Sequence, residues 1–74
     1  MLSFRKKLSK IDKILNKKFK NVQELHNKLK ENNIYFETYL TKMKIWFYYL
    51  KENNNSRACK LCVDNKRRVY LTRA

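Results

Sequence analysis

The stretch Thr38-Tyr39-Leu40-Thr41-Lys42-Met43-Lys44-Ile45-Trp46-Phe47-Tyr48-Tyr49-Leu50 decides how this chain is read. Leu40, Met43, Phe47 and Leu50 recur at three- and four-residue steps, which stacks side chains along one side of an α-helix. Thr38 stands where an N-cap is needed. The spacing therefore predicts a helix over these residues, with a buried stripe. Its other side carries Thr38, Thr41, Ile45, Tyr48 and Tyr49, flanked by Lys42. A helix apolar or aromatic nearly all round is buried on two sides or pressed against a partner.

Upstream, Asn21 opens a helix with sound local logic: a capping side chain, Glu24 three residues on, and Val22, Leu25 and Leu29 on one face. Before it, Phe4, Leu8, Ile11, Leu15 and Phe19 form another helical stripe backed by lysines, with Ser9 as an N-cap. The chain has no Gly and no Pro, so its turns fall to Asn. Asn32-Asn33, Asn53-Asn54-Asn55 and Asp64-Asn65 mark the element boundaries, and Ile34-Tyr35-Phe36 reads as a short extended piece.

Downstream, Arg57 to Arg73 alternates like a β-hairpin around Asp64-Asn65-Lys66. A three-residue loop pairs Val63 with Arg67, Leu61 with Val69 and Cys59 with Leu71. That puts Cys59, Leu61, Val63, Val69 and Leu71 on one face, with Lys60, Cys62, Arg68 and Tyr70 on the other. The expected fold class is α+β, mainly helical: three helices followed by a C-terminal β-hairpin wing. Seventy-four residues make one domain, 1–74, with residues 1–8 expected as a flexible basic arm.

Nineteen Lys and Arg face six Asp and Glu, a net +13, and the surplus sits at the ends. Residues 1–20 carry +7, residues 21–56 only +1, and residues 57–74 +5. Hydrophobic and aromatic shares of 43% and 14% are too high for a disordered basic tail, so the chain should fold. Its partner should be acidic, since cationic side chains that neutralise phosphates release condensed counterions.

The longest apolar run, Ile45 to Leu50, is far short of a membrane span. No apolar segment follows Arg5, Lys6 and Lys7, so a secretory signal is not expected. The expected location is intracellular, in cytoplasm or nucleoid, with membrane binding disfavoured. Cys59 and Cys62 form a single CxxC, and His26 is the one histidine. Zinc needs four ligands, so no metal or other cofactor is expected, and both thiols read as reduced. Residues three apart in a strand lie about 10 Å apart, too far for a bridge. A glycine-rich phosphate loop, HExxH and a close acid pair are all missing, so no enzymatic activity is expected.

Helix, Val22-Gln23-Glu24-Leu25 opening a second helix, Leu29 and a turn, a Thr-initiated third helix and a basic hairpin follow one another from Ile11 to Thr72. That order resembles the winged helix-turn-helix DNA-binding domain of arginine-repressor-type regulators, with Asn32-Asn33 where such motifs commonly place a glycine. The resemblance implies a non-enzymatic double-stranded DNA-binding protein, a small regulator or a recombination or replication accessory factor. Thr38, Thr41, Lys42 and Ile45 would then face base edges. Arg5, Lys6, Lys7, Lys10, Lys13, Lys17, Lys60, Lys66, Arg67 and Arg68 would contact phosphates.

Trp46, Tyr48 and Tyr49 support two other readings. Ile45, Tyr48 and Tyr49 are costly to leave in water as one patch, which suits a homodimer interface. Aromatics among lysines also suit RNA base stacking, or docking on a ribonucleoprotein or acidic protein partner by an inhibitor or adaptor of the kind phages and mobile elements encode.

Overall fold

The computed structural model describes residues 9–74. Two short helices, α1 (Lys10–Ile14) and α2 (Val22–Glu31), precede four strands: β1 (Tyr35–Leu40), β2 (Trp46–Glu52), β3 (Asn55–Val63) and β4 (Val69–Arg73). The strands form an antiparallel meander in chain order. Both helices pack on one face of it, a two-layer arrangement with the core between the layers.

This overturns the mainly helical winged fold. Residues 38–50 are not a third helix but the end of β1, a tight turn and most of β2. Ile45, Trp46, Phe47, Tyr48 and Tyr49 are β-branched or aromatic, the types that fit a pleated, half-buried surface. The turn itself lacks the residues that announce turns. Thr41 N–H donates to the Ile45 carbonyl at 3.0 Å, Lys44 N–H to the Thr41 carbonyl at 2.9 Å and Ile45 N–H to Thr41 Oγ1 at 3.1 Å. Lys44 takes the left-handed position, φ 63°, that a glycine or asparagine would usually mark.

The second helix forms as its sequence specifies, with the Asn21 side chain accepting from Glu24 N–H and Leu25 and Leu29 buried. Ser9 likewise caps α1, accepting from Asp12 N–H. The first helix, however, stops at Ile14 instead of continuing to Phe19: Asn16 turns left-handed at φ 65° and Phe19 exchanges backbone hydrogen bonds with Val69. Glu52, buried at the end of β2, accepts from Lys10 N–H at 3.0 Å and Ile11 N–H at 3.1 Å. The carboxylate thereby satisfies two of the amides that a helix start leaves unpaired.

The C-terminal hairpin is present with the expected faces and a shifted register. Val63 pairs with Val69, Leu61 with Leu71 and Cys59 with Arg73, two residues from the expected partners. The closing pair is Asp64 and Arg68, with Arg67 left-handed at φ 62°. An even slip preserves which side each residue faces. Cys59, Val69 and Leu71 are accordingly buried, Leu61 is partly covered, and Val63 shares their face but is exposed near the turn.

Candidate nucleic-acid interface

Strand alternation divides the sheet into two unlike faces. Tyr48, Leu50 and Glu52 of β2, Cys59 of β3 and Val69 and Leu71 of β4 point under the helices and are buried. Their in-between neighbours point away: Tyr35, Glu37 and Tyr39, then Phe47, Tyr49 and Lys51, then Ser56, Ala58, Lys60 and Cys62, and finally Tyr70 and Thr72. None of these is buried, and no described element covers them.

The open face is built around a cluster of rings. Tyr39 and Tyr49 stack with centroids 5.4 Å apart and planes 20° apart, and their hydroxyls are hydrogen-bonded at 2.9 Å. Phe47 packs beside Tyr39 at 6.0 Å. Tyr35 donates to Glu37 Oε2 at 2.7 Å and lies opposite Lys51. Lys60 lies opposite Phe47 on one side and Thr72 on the other. At the far side, Lys18 Nζ stands 5.5 Å from the centre of the Tyr70 ring. The hydrogen bond to the Glu37 carboxylate raises the Tyr35 pKa, and the bond to Tyr49 raises that of Tyr39, so both rings stay uncharged beyond the ordinary phenol range.

Because the sheet is a meander, the β1–β2 and β3–β4 turns lie at the same end. That end gathers Lys42 and Lys44 with Lys66, Arg67 and Arg68. Lys18, Lys20 and Arg68 also line one shallow cleft with Glu24. Asp64 is the acid in the β3–β4 turn, and its carboxylate is committed. It accepts from Arg68 N–H at 2.8 Å and Lys66 N–H at 2.9 Å and pairs with Lys18 at 3.1 Å, contacts that hold its pKa below the usual value.

Of the residues expected to read bases, Thr38 lies on the helix side of β1, while Thr41, Lys42 and Ile45 belong to the turn. They share no helix face, so the groove-reading arrangement is absent. Trp46, Tyr48 and Tyr49 do not form one patch either: Tyr48 is buried, whereas Trp46 and Tyr49 emerge on opposite sides of the sheet. Lys60, Lys66, Arg67 and Arg68 are placed on or beside the open face. Lys10 and Lys13 lie on α1 behind the sheet, Lys17 follows that helix, and Arg5, Lys6 and Lys7 fall outside the described residues.

Tyr35, Tyr39, Lys44 and Lys51 had no functional role in the sequence reading, Tyr70 was placed only on the outer face of the hairpin, and Phe47 was expected in a buried helical stripe, whereas it lies partly exposed on the open face. The signal for them is the parity of Trp46–Glu52, available once those residues are read as a strand.

The remaining reactive groups are occupied or separated. His26 Nε2 is 2.6 Å from the Tyr48 hydroxyl. Cys59 and Cys62 project to opposite faces, and burial pushes the Cys59 thiol pKa up despite Arg57 and Arg73. Among the described residues no cluster could hold a metal, and no helix is long and apolar enough to cross a membrane. Comparison with protein-family models, curated proteins and solved structures finds no match.

Proposed function

We propose that this chain is a non-enzymatic nucleic-acid-binding protein that takes single strands on the open face of its sheet. The observation that carries this reading is the ring cluster Tyr39, Phe47 and Tyr49 on a sheet face that no described element covers, in a +13 chain, with Lys51 and Lys60 beside it. Rings of this kind offer stacking surfaces to unpaired bases, and cations alongside follow the phosphates. The lysines and arginines of the two adjacent turns extend the cationic track beyond the platform.

Geometry favours a single strand over a duplex. Four strands span three gaps of about 4.8 Å, roughly 14 Å before side chains are added, whereas the major groove is about 12 Å wide. A flat ring also has nothing to stack on while bases remain paired. The acidic-protein alternative lacks this second argument, because an acidic surface uses the lysines but not the stacked rings.

The test is fluorescence anisotropy with labelled single-stranded oligonucleotides and the corresponding duplex, over a series of salt concentrations. Single strands should bind more tightly than duplex, with affinity falling as salt rises. The double variant Tyr39→Ala, Tyr49→Ala should lose most of that preference, while Trp46→Phe, on the other side of the sheet, should not. Equal affinity for both forms, unaffected by the double variant, would sink the platform reading and leave only a general attraction to polyanions.

A further inference from the structure

The two edges of the sheet differ. Along β4, Phe19 N–H donates to the Val69 carbonyl at 2.8 Å, Val69 N–H returns to the Phe19 carbonyl at 2.9 Å, and Asn16 N–H donates to the Leu71 carbonyl at 2.8 Å. The segment 16–19 therefore covers that edge. Along β1, the Thr41 to Ile45 bond fixes the ladder alternation. Tyr35, Glu37 and Tyr39 direct their backbone groups at β2, so Phe36, Thr38 and Leu40 direct theirs outward. Among the described residues no backbone or side-chain group bonds to those three.

This edge is also where positive charge is missing. Residues 31–41 are the longest run in the chain without Lys or Arg, and they contain Glu31 and Glu37. Two +13 molecules repel, and this strand adds no cation of its own to their approach. An edge that no described residue covers, without Lys or Arg of its own and with exposed tyrosines, is a template for another strand.

We propose that β1 is a dimer edge, at which two copies of this chain pair their β1 strands antiparallel about a two-fold axis through Thr38. In that register Phe36 lies opposite the second copy's Leu40, and the outward N–H and C=O groups of Phe36, Thr38 and Leu40 are used in both copies. Leu40, 46% exposed in one chain, gains an apolar neighbour on the helix side. On the open side Glu37 falls opposite Tyr39 of the second copy. Shifting the pairing so that Phe36 meets Thr38 would set the two Glu37 side chains against each other and leave Leu40 unpaired, so the first register is selected. The result is one continuous eight-stranded sheet whose open faces join. Its use for a longer nucleic-acid strand rests on the platform reading above; the pairing itself does not.

Sedimentation velocity of the full chain without nucleic acid tests this. The expected result is a concentration-dependent shift from one chain mass to two. Thr38→Pro removes the N–H at the axis, a change an edge strand tolerates because that group has no partner within one chain. It should remain at one chain mass with an unchanged circular dichroism spectrum. Glu37→Lys, which puts positive charge on the cation-free edge of an already +13 chain, should act in the same direction and serves if the proline variant unfolds. A wild-type chain that stays monomeric at its highest soluble concentration overturns the proposal, as does a dimer that both variants leave intact. Anisotropy with a short oligonucleotide separates the two proposals. Thr38→Pro lies on the helix side of β1 and leaves the ring cluster and the open-face charges in place, so it should bind like wild type. If wild type dimerises but binds no single strand, the platform reading fails and the edge proposal stands.

Discussion

The two faces of this sheet use the same residue types for different ends. Strand β2 supplies both: Tyr48, Leu50 and Glu52 go under the helices, while Phe47, Tyr49 and Lys51 go to the open side. Beneath the helices each polar atom has a partner inside the protein, His26 for the Tyr48 hydroxyl and the Lys10 and Ile11 amides for Glu52. On the open side Tyr39 and Tyr49 stack on and hydrogen-bond to each other, and both remain partly exposed to solvent. A tyrosine is thus structural at one parity and available for a ligand at the next. Aromatic content does not separate the roles; the cover does.

The largest expected effect breaks the covered side alone. Leu50→Ala removes a fully buried side chain and should cost about 2–5 kcal/mol of stability in urea unfolding, enough to threaten so small a domain. The adjacent Tyr49→Ala should change stability little. Single-strand affinity should instead fall roughly 5- to 150-fold, the value of about 1–3 kcal/mol for one base–aromatic contact. If Tyr49→Ala unfolds the protein, the open face is part of the core and the contrast fails.

Next is Glu52, the acid that ties β2 to α1. Glu52→Ala leaves two helix-start amides without their acceptor and should cost about 1–3 kcal/mol, read by the same unfolding measurement. Oligonucleotide binding by the fraction that remains folded should be unaffected, because the carboxylate lies on the helix side. A smaller effect of opposite sign is expected at the turn. Lys44→Gly relieves a non-glycine residue at φ 63° and should stabilise by about 0.5–1 kcal/mol. It should also reduce the salt dependence of binding if Lys44 contacts phosphate.

Much of the helical layer was legible before the fold was known. Ser9, Asn21 and Glu24 announce helix starts through short-range capping chemistry, and Leu25 and Leu29 fall on the buried side as their spacing requires. The sheet was half legible. The alternation of Cys59, Leu61 and Val63 identifies the right faces, but register depends on where the turn closes, and the left-handed Arg67 gives no composition signal. Residues 38–50 misled for the same reason. Leu40, Met43, Phe47 and Leu50 satisfy helical spacing, and a turn built on Thr41 and Lys44 gives no Gly, Asn or Pro to contradict it. Once that segment is assigned to a helix, Tyr39, Phe47 and Tyr49 cannot be seen as one surface, because they come together through cross-strand pairing. The terminal charge remained legible throughout, since it depends on composition and not on register.

The smallest expected effect concerns His26, the covered face's titratable link between α2 and β2. Its ring lies 4.8 Å from that of Phe36 and its Nε2 bonds to the Tyr48 hydroxyl. Burial, with Lys30 adding repulsion, lowers its pKa below the ordinary 6.5. The unfolded chain therefore binds this proton more readily than the folded one, so stability rises with pH across the interval between the two values. The contribution is complete above about 6.5, declines as pH falls toward the lower folded value, and then levels off. Unfolding midpoints measured from pH 8 to pH 5 should show this step in wild type and lose it in His26→Gln. Platform binding should not follow the same step, because Tyr35 and Tyr39 remain neutral across that range. A binding curve that tracked the His26 titration with the protein still folded would show that the two faces are coupled through β2 and are not independent.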